Sequence, residues 1–204
     1  MIKQDLKNEF PKFYKASATK MEIVDVPELN YLMIDGNGDP NNSPLFQEAI
    51  EALYGLSYTL KFMVKKGELQ VDYGVMPLEG LWWADDMNDF LTGNKAVWKW
   101  TLMIMQPRLI TTALVGEARK LLAGRKQVPA LDKVRFEAMA DGLSAQVLYI
   151  GPYSGEPPTI LKLHEFIKAN GYQLSGKHRE IYLSDMRRTA PEKLKTIIRQ
   201  PMSK

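Results

Sequence analysis

The segments IDGNGDPNNSP at residues 34–44 and IGPYSGEPPT at residues 150–159 decide the fold. Each follows an apolar run, concentrates turn-forming Gly, Pro, Asn and Ser, and opens onto a stretch of helical period. A second match lies beyond each of those stretches, in KWTLMIMQP at 99–107 and KLKTIIRQP at 193–201, both closing on Gln-Pro. Two matches in the same order point to an internal duplication, with copies over about residues 19–107 and 132–202.

Working outward from the first segment, Met21–Val26 and Leu29–Gly36 read as strands joined at Pro27. Ser43 caps and Pro44 starts a helix of about 20 residues whose inward stripe is Leu45, Ala49, Leu53, Leu56, Leu60 and Met63. Leu69–Met76, Leu81–Ala84 and, past a polar loop, Ala96–Met105 follow as strands, since β-branched and aromatic residues recur there between breakers. Residues Arg108–Ala123 return to a helical period through Ile110, Leu114, Ala118 and Leu121, with Gly124 as the stop, and link the halves over about residues 108–124. The second copy then gives strands at Val134–Ala140 and Leu143–Ile150, a helix with Ile160, Leu163 and Ile167 inward that ends at Gly171, and strands at His178–Ser184 and Lys195–Pro201. The expected class is α+β: two strand-strand-helix-strand-strand units pair into one domain over residues 19–204, behind a polar lead-in of residues 1–18. With both helices on one face, this pairing is expected to leave a groove on the other.

Composition narrows the function classes. The 204 residues, 45% hydrophobic and 25% charged, match an ordinary packed protein. No apolar run approaches the roughly 18 residues of a membrane span, and the N-terminal residues lack the apolar core of a signal peptide, so a cytoplasmic location without a membrane partner is expected. The absence of cysteine excludes disulfides, thiolate metal ligands and a cysteine nucleophile. The net charge of +3 is dispersed, and the basic segments Arg119–Lys126 and Arg187–Lys195 are interrupted by Leu121, Leu122 and Glu192, which argues against direct DNA binding. No metal or cofactor is expected. His164 and His178 are far apart and lack metal-ligand spacing. The G-x-x-x-x-G-K formed by Gly171, Gly176 and Lys177 is followed by His178 rather than Ser or Thr, and it sits after a helix and before a strand, the reverse of a phosphate loop. Gly36 and Gly38 are a lone G-x-G before a helix.

The segment HREIYLSD at 178–185 carries the candidate chemistry. Strand alternation sends Ile181 and Leu183 one way and Glu180 and Tyr182 the other; if the aliphatic pair lies under the helices, Glu180 points into the groove. Two readings stand for such a carboxylate: a rim residue paired with Arg or Lys, or a functional charge inside an aromatic cleft. Trp82 and Trp83 are adjacent and must point to opposite sides, whereas Trp98 and Trp100 share a face. With Tyr54, Tyr73, Tyr149 and Tyr153 nearby in the repeat, these rings supply either core packing or the walls of a pocket. The alternation leads us to expect Trp83, with Trp98 or Trp100, in the groove.

In MPLEGLWW at 76–83, IGPYSGEPPT at 150–159, HREIYLSDMRR at 178–188 and PEKLKTIIRQP at 191–201, the chain resembles the GyrI-like small-molecule-binding family, over about residues 19–202. That family's fold is shared with effector-binding domains of multidrug-responsive bacterial transcription activators. The resemblance implies a duplicated α+β fold whose central cleft accepts planar, hydrophobic or cationic small molecules, with the family's buried glutamate at Glu180. Some stand-alone members are similar to hydrolases that open the cyclopropane ring of DNA-alkylating natural products. For this chain that implies Glu180 as a general base with Tyr182 beside it, and Trp82, Trp83, Trp98, Trp100, Tyr54, Tyr73, Tyr149 and Tyr153 as ligand-binding candidates. Met186 stands where relatives carry proline, a change in a loop. The alternative is a protein-interaction module, for example a topoisomerase modulator, without small-molecule chemistry. Single-stranded nucleic-acid binding through stacked tryptophans would need a basic groove, which Glu180 opposes.

Overall fold

The computed structural model describes residues 1–85 and 94–204. In chain order the elements are β1 (Ile2–Gln4), α1 (Leu6–Glu9), α2 (Pro11–Tyr14), β2 (Glu22–Val26), β3 (Leu29–Asn37), α3 (Pro44–Lys66), β4 (Val71–Tyr73), β5 (Leu78–Trp83), β6 (Lys99–Gln106), α4 (Thr112–Ala123), β7 (Arg135–Met139), β8 (Gly142–Ile150), α5 (Pro157–Ala169), β9 (Gln173–Leu174), β10 (His178–Tyr182) and β11 (Lys195–Ser203). The polar loop expected after Ala84 lies in part outside the described residues.

The main sheet runs β2-β8-β11-β10-β5-β6-β3-β7, with β9 added to β11. This order reads the same from both ends once the second copy is matched to the first. β10 pairs with β5 at the centre, β11 mirrors β6, and β8 mirrors β3. The leading strands are exchanged, so β2 pairs with β8 and β7 pairs with β3. The fold is therefore α+β with one large sheet and helices packed on it. Because β7 and β8 stand at distant places in the order yet are joined by only Ala140 and Asp141, the sheet must curl until its two ends approach.

The helices form where the pattern places them, with edges set by local chemistry. α3 has Pro44 in its first turn and stops at Gly67, whose N–H caps the Met63 carbonyl; Ala49, Ala52, Leu53, Leu56, Leu60 and Val64 are buried. α4 begins at Thr112 rather than Arg108. Pro107–Ile110 is spent on a turn, and the Thr111 side chain accepts the Leu114 N–H as the cap. The expected strand at Leu69–Met76 contracts to Val71–Tyr73, which pairs in parallel with β1 in a separate two-stranded sheet.

Both faces of the main sheet are covered, and this corrects the expected groove. Side chains of Trp100, Leu102, Ile104 and Gln106 share one face, where Gln106 Nε2 donates to Ser57 Oγ of α3 at 3.1 Å. Through the ladders, Gly80, Trp82, His178, Glu180, Tyr182, Thr196 and Ile198 lie on this same helix side. Ile198 packs with Ile160, Leu163 and Ile167 of α5. Glu180 thus lies between the two helices, and Ile181, which was expected beneath them, lies on the opposite face.

That opposite face is lined by Glu79, Leu81, Arg179, Ile181 and Arg199 and is roofed by residues of the N-terminal segment. Tyr14 Oη donates to Glu79 at 2.7 Å, Arg199 donates to the Phe13 carbonyl at 2.6 Å, and Gln146 donates to the Lys12 carbonyl at 2.7 Å. The two buried arginines are balanced by two buried carboxylates: Arg179 pairs with Glu79 and Asp141, both at 3.1 Å, and Arg199 with Asp141 at 3.5 Å. The lead-in is therefore structural, with Leu6 and Tyr14 buried in the main core.

Candidate functional site

Glu180 is held from two sides by its own strand. Tyr182 Oη donates to Glu180 Oε2 at 2.7 Å, and His178 Nε2 lies 3.2 Å from Oε1. Positions 178, 180 and 182 share a face, so the strand period alone brings the three together. The chain of donors continues, since Trp82 Nε1 donates to Tyr182 Oη at 3.0 Å. Gly80 makes room for this, because a Cβ there would stand 2.6 Å from the indole nitrogen. Among the described residues no Lys or Arg forms an ion pair with Glu180, whose side chain is 13% exposed. The bland reading of a rim carboxylate paired with a basic side chain therefore does not apply.

The walls are aromatic. Tyr153 meets Tyr182 edge-on at 5.7 Å, Phe46 lies 5.9 Å from Trp82, and Trp98 lies edge-on to Trp82 at 5.7 Å. Trp100 belongs to the floor: it is fully buried, packs edge-on against Phe46 and fills the space over Gly36. Tyr54 of α3 is half-buried and stacks on Tyr58. Tyr149 is on the same face and bonds its hydroxyl to the Pro152 carbonyl at 3.0 Å, packing the glycine turn ahead of α5. Two candidates lie elsewhere. Trp83 points to the other face, where the Lys177 ammonium sits 3.4 Å above its ring, and Tyr73 is buried where β4 meets β1. The structure thus places Trp82, not Trp83, beside Glu180, because parity in a strand says that neighbours diverge but not which one faces the helices.

Glu156 is the residue that sequence reasoning missed. It stands at the start of α5 without capping the helix through its side chain, and it is 3% exposed. Burial first, and the Glu180 charge second, push its carboxyl up to about 9. Burial alone would also raise Glu180, but hydrogen bonding and Coulomb attraction to His178, with the bonds to Tyr182 and Glu156, outweigh it and hold that carboxyl below its usual range. Burial drives Tyr182 well above the usual phenol range and Tyr153 to about 12, so both hydroxyls keep their protons. His164, on α5, is held neutral by burial at about 4. The arrangement is one ionised and one protonated carboxyl under an aromatic wall, the split that acid–base chemistry requires. Among the described residues no cluster of three His, Asp or Glu could hold a metal ion, and no helix is long and apolar enough to cross a membrane.

Comparison with known proteins fits this geometry. The model of the GyrI-like small molecule binding domain matches residues 19–202. A crystal structure described as an uncharacterized conserved protein from Listeria innocua is 37% identical, with 100% of each chain covered and a TM-score of 0.87. A structure described as a hydrolase from Listeria innocua is 36% identical over 100% of both chains, with a TM-score of 0.86. The EcmrR C-terminal domain, 14% identical over 91% of this chain and 98% of its own, shares the fold with a TM-score of 0.55. No curated protein matches the sequence.

Proposed function

The chain belongs to the GyrI-like small-molecule-binding family, and from that premise we propose that it binds planar aromatic compounds between α3 and α5 and hydrolyses those that carry a strained, electrophilic ring. The observation that carries this reading is Glu180: a nearly buried carboxylate, without a Lys or Arg ion pair among the described residues, fixed by Tyr182 and His178 beside a cluster of aromatic rings. A planar ligand would lie against Trp82 and Tyr153. For a cationic one, each aromatic face contributes roughly 0.5 to 2 kcal/mol, and Glu180 supplies the counter-charge.

For a cyclopropane conjugated to a carbonyl, Glu180 takes a proton from water as the water oxygen bonds to the less hindered ring carbon. The C–C bond breaks, and its electron pair moves to the carbonyl oxygen, which takes a proton from Glu156. Glu180 then returns its proton to Glu156, and the net change is addition of one water. The hydroxyl of Tyr182 and the N–H of Trp82 are both committed to holding Glu180, which leaves Glu156 and Tyr153 as the donors to the developing oxygen. Such an enzyme would disarm DNA-alkylating agents.

The test is incubation with cyclopropane-bearing alkylators and mass spectrometry for the water adduct, in wild type and in Glu180→Gln. The variant should fold and lose about 10²- to 10⁴-fold in rate, the usual contribution of a general base. Equal turnover by the variant would reduce Glu180 to a structural role.

A further inference from the structure

Glu156 and Glu180 are neighbours on the helix side of the sheet, and among the described residues neither has a Lys or Arg in an ion pair. Glu156 Oε1 is buried and has no hydrogen-bond partner. Two adjacent buried carboxyls without a lysine or arginine beside them do not both ionise near neutrality. The groups around them are His178 and Tyr182 of β10, Tyr153 ahead of α5, Thr196 of β11, Tyr149 of β8 and Trp82 of β5, with His164 of α5 near His178 and Asp185 already engaged by Arg187. None of these brings a permanent positive charge to the pair. A positive ligand would therefore find one negative charge waiting and a second held in reserve as a proton.

We propose that Glu156 is a second ligand-binding residue of the cleft, which holds the one proton of the pair while the cleft is empty and releases it to solvent when a cation binds. This rests on the reading of the cleft as a small-molecule site and adds that its charge adjusts to the ligand. In the empty cleft Glu156 keeps its proton up to about pH 9. A cation within a few ångströms lowers a carboxyl's proton affinity about 10- to 1,000-fold, which carries Glu156 below that value. At pH 8 the released fraction is then about 0.4 to 0.9 proton per cation bound. The sign follows: affinity for a cation rises with pH while Glu156 is protonated in the free protein and ionised in the complex, and levels off above about pH 9. His164, neutral down to about 4, takes no part in that window.

The experiment is titration calorimetry at pH 8 in two buffers of different ionisation heat. The probes are 10-methylacridinium, a permanent planar cation, and the neutral N-methylacridone of nearly the same shape. The expected result is a buffer-dependent heat for the cation only, an affinity that increases from pH 6 to pH 9, and loss of both effects in Glu156→Gln. Equal heats in both buffers with a flat affinity would overturn the proposal and leave the small-molecule reading standing. Proton release that survives Glu156→Gln would place the proton on another group and also overturn it, as would binding of the acridone alone. If neither probe binds, the cleft reading fails and takes the proposal with it. Should Glu156→Gln not fold, the wild-type heats and Glu156→Asp, which should retain the release, decide the matter.

Discussion

A methyl group at Gly80 tests how Glu180 is held. In the central ladder Gly80 sits directly opposite Glu180. A Cβ in its place would lie 2.6 Å from Trp82 Nε1 and 3.1 Å from Tyr182 Oη, closer than side chains pack. Trp82 cannot simply withdraw: it is 5% exposed, with Phe46 and Trp98 against its ring and Trp100 as its partner across the ladder. Gly80→Ala must therefore break the 3.0 Å bond from Trp82 to Tyr182 and loosen the donor that fixes Glu180. Overpacking costs about 1–3 kcal/mol and the lost hydrogen bond about 0.5–1.5. For a chain of this size each kcal/mol lowers Tm by about 2–4 °C, so a drop of roughly 3–18 °C is expected. Scanning calorimetry reads the stability, and titration with a bound probe reads the cleft, where affinity should fall well beyond what partial unfolding explains. A Gly80→Ala protein with wild-type Tm and wild-type affinity would refute the claim that the Trp82–Tyr182–Glu180 chain organises the site.

Other outcomes follow from the same geometry. Because the folded value of Glu156 is about 9 against about 4.5 unfolded, the unfolded chain loses that proton first. The Glu156 contribution to wild-type stability should therefore fall as pH rises through this interval and stop falling above about 9. Glu156→Gln, which mimics the protonated acid, should gain on wild type across the interval, by at most about 1.4 kcal/mol per pH unit; a difference constant from pH 5 to pH 8 in urea titrations would contradict the assignment. Tyr14→Phe removes the 2.7 Å bond to buried Glu79 and should cost about 1–3 kcal/mol in the same assay, while leaving probe affinity unchanged because Tyr14 lies on the face away from the cleft.

Much of this was legible in the sequence, for reasons that particular residues make plain. The duplication showed in the repeated turn and Gln-Pro segments because both copies need the same strand-to-helix turn and the same closing strand. Alternation grouped Glu180 with Tyr182 and set Ile181 apart, since that depends only on parity. Which parity faces the helices was not legible. Ile181 looked like helix-side core, but residues 6–14 supply a second covered face, and nothing in their mostly polar sequence announces that Leu6 and Tyr14 are buried there. The same ambiguity misplaced Trp83. Glu156 hid in the turn GEPPT, where it reads as a solvated residue ahead of two prolines. The available signal was its position, because glutamate is not among the preferred residues for capping a helix start. The contraction of β4 was equally hidden, since its length is set by pairing with three residues at the far N-terminus.

Ligands are proposed to occupy the space between α3 and α5 above Glu180. A cavity of about 400 Å³ lies on the other side of the sheet, lined by Met33, Leu81, Arg135, Asp141 and Lys177, so the two locations can be told apart. The most direct measurement is a crystal structure of Glu180→Gln with a slowly turned-over alkylator bound. Its ring system is expected against Trp82 and Tyr153, with the reactive carbon facing position 180 and the carbonyl oxygen near Glu156. A compound lodged instead beside Arg135 and Lys177, with the interhelical cleft unaltered, would contradict this placement.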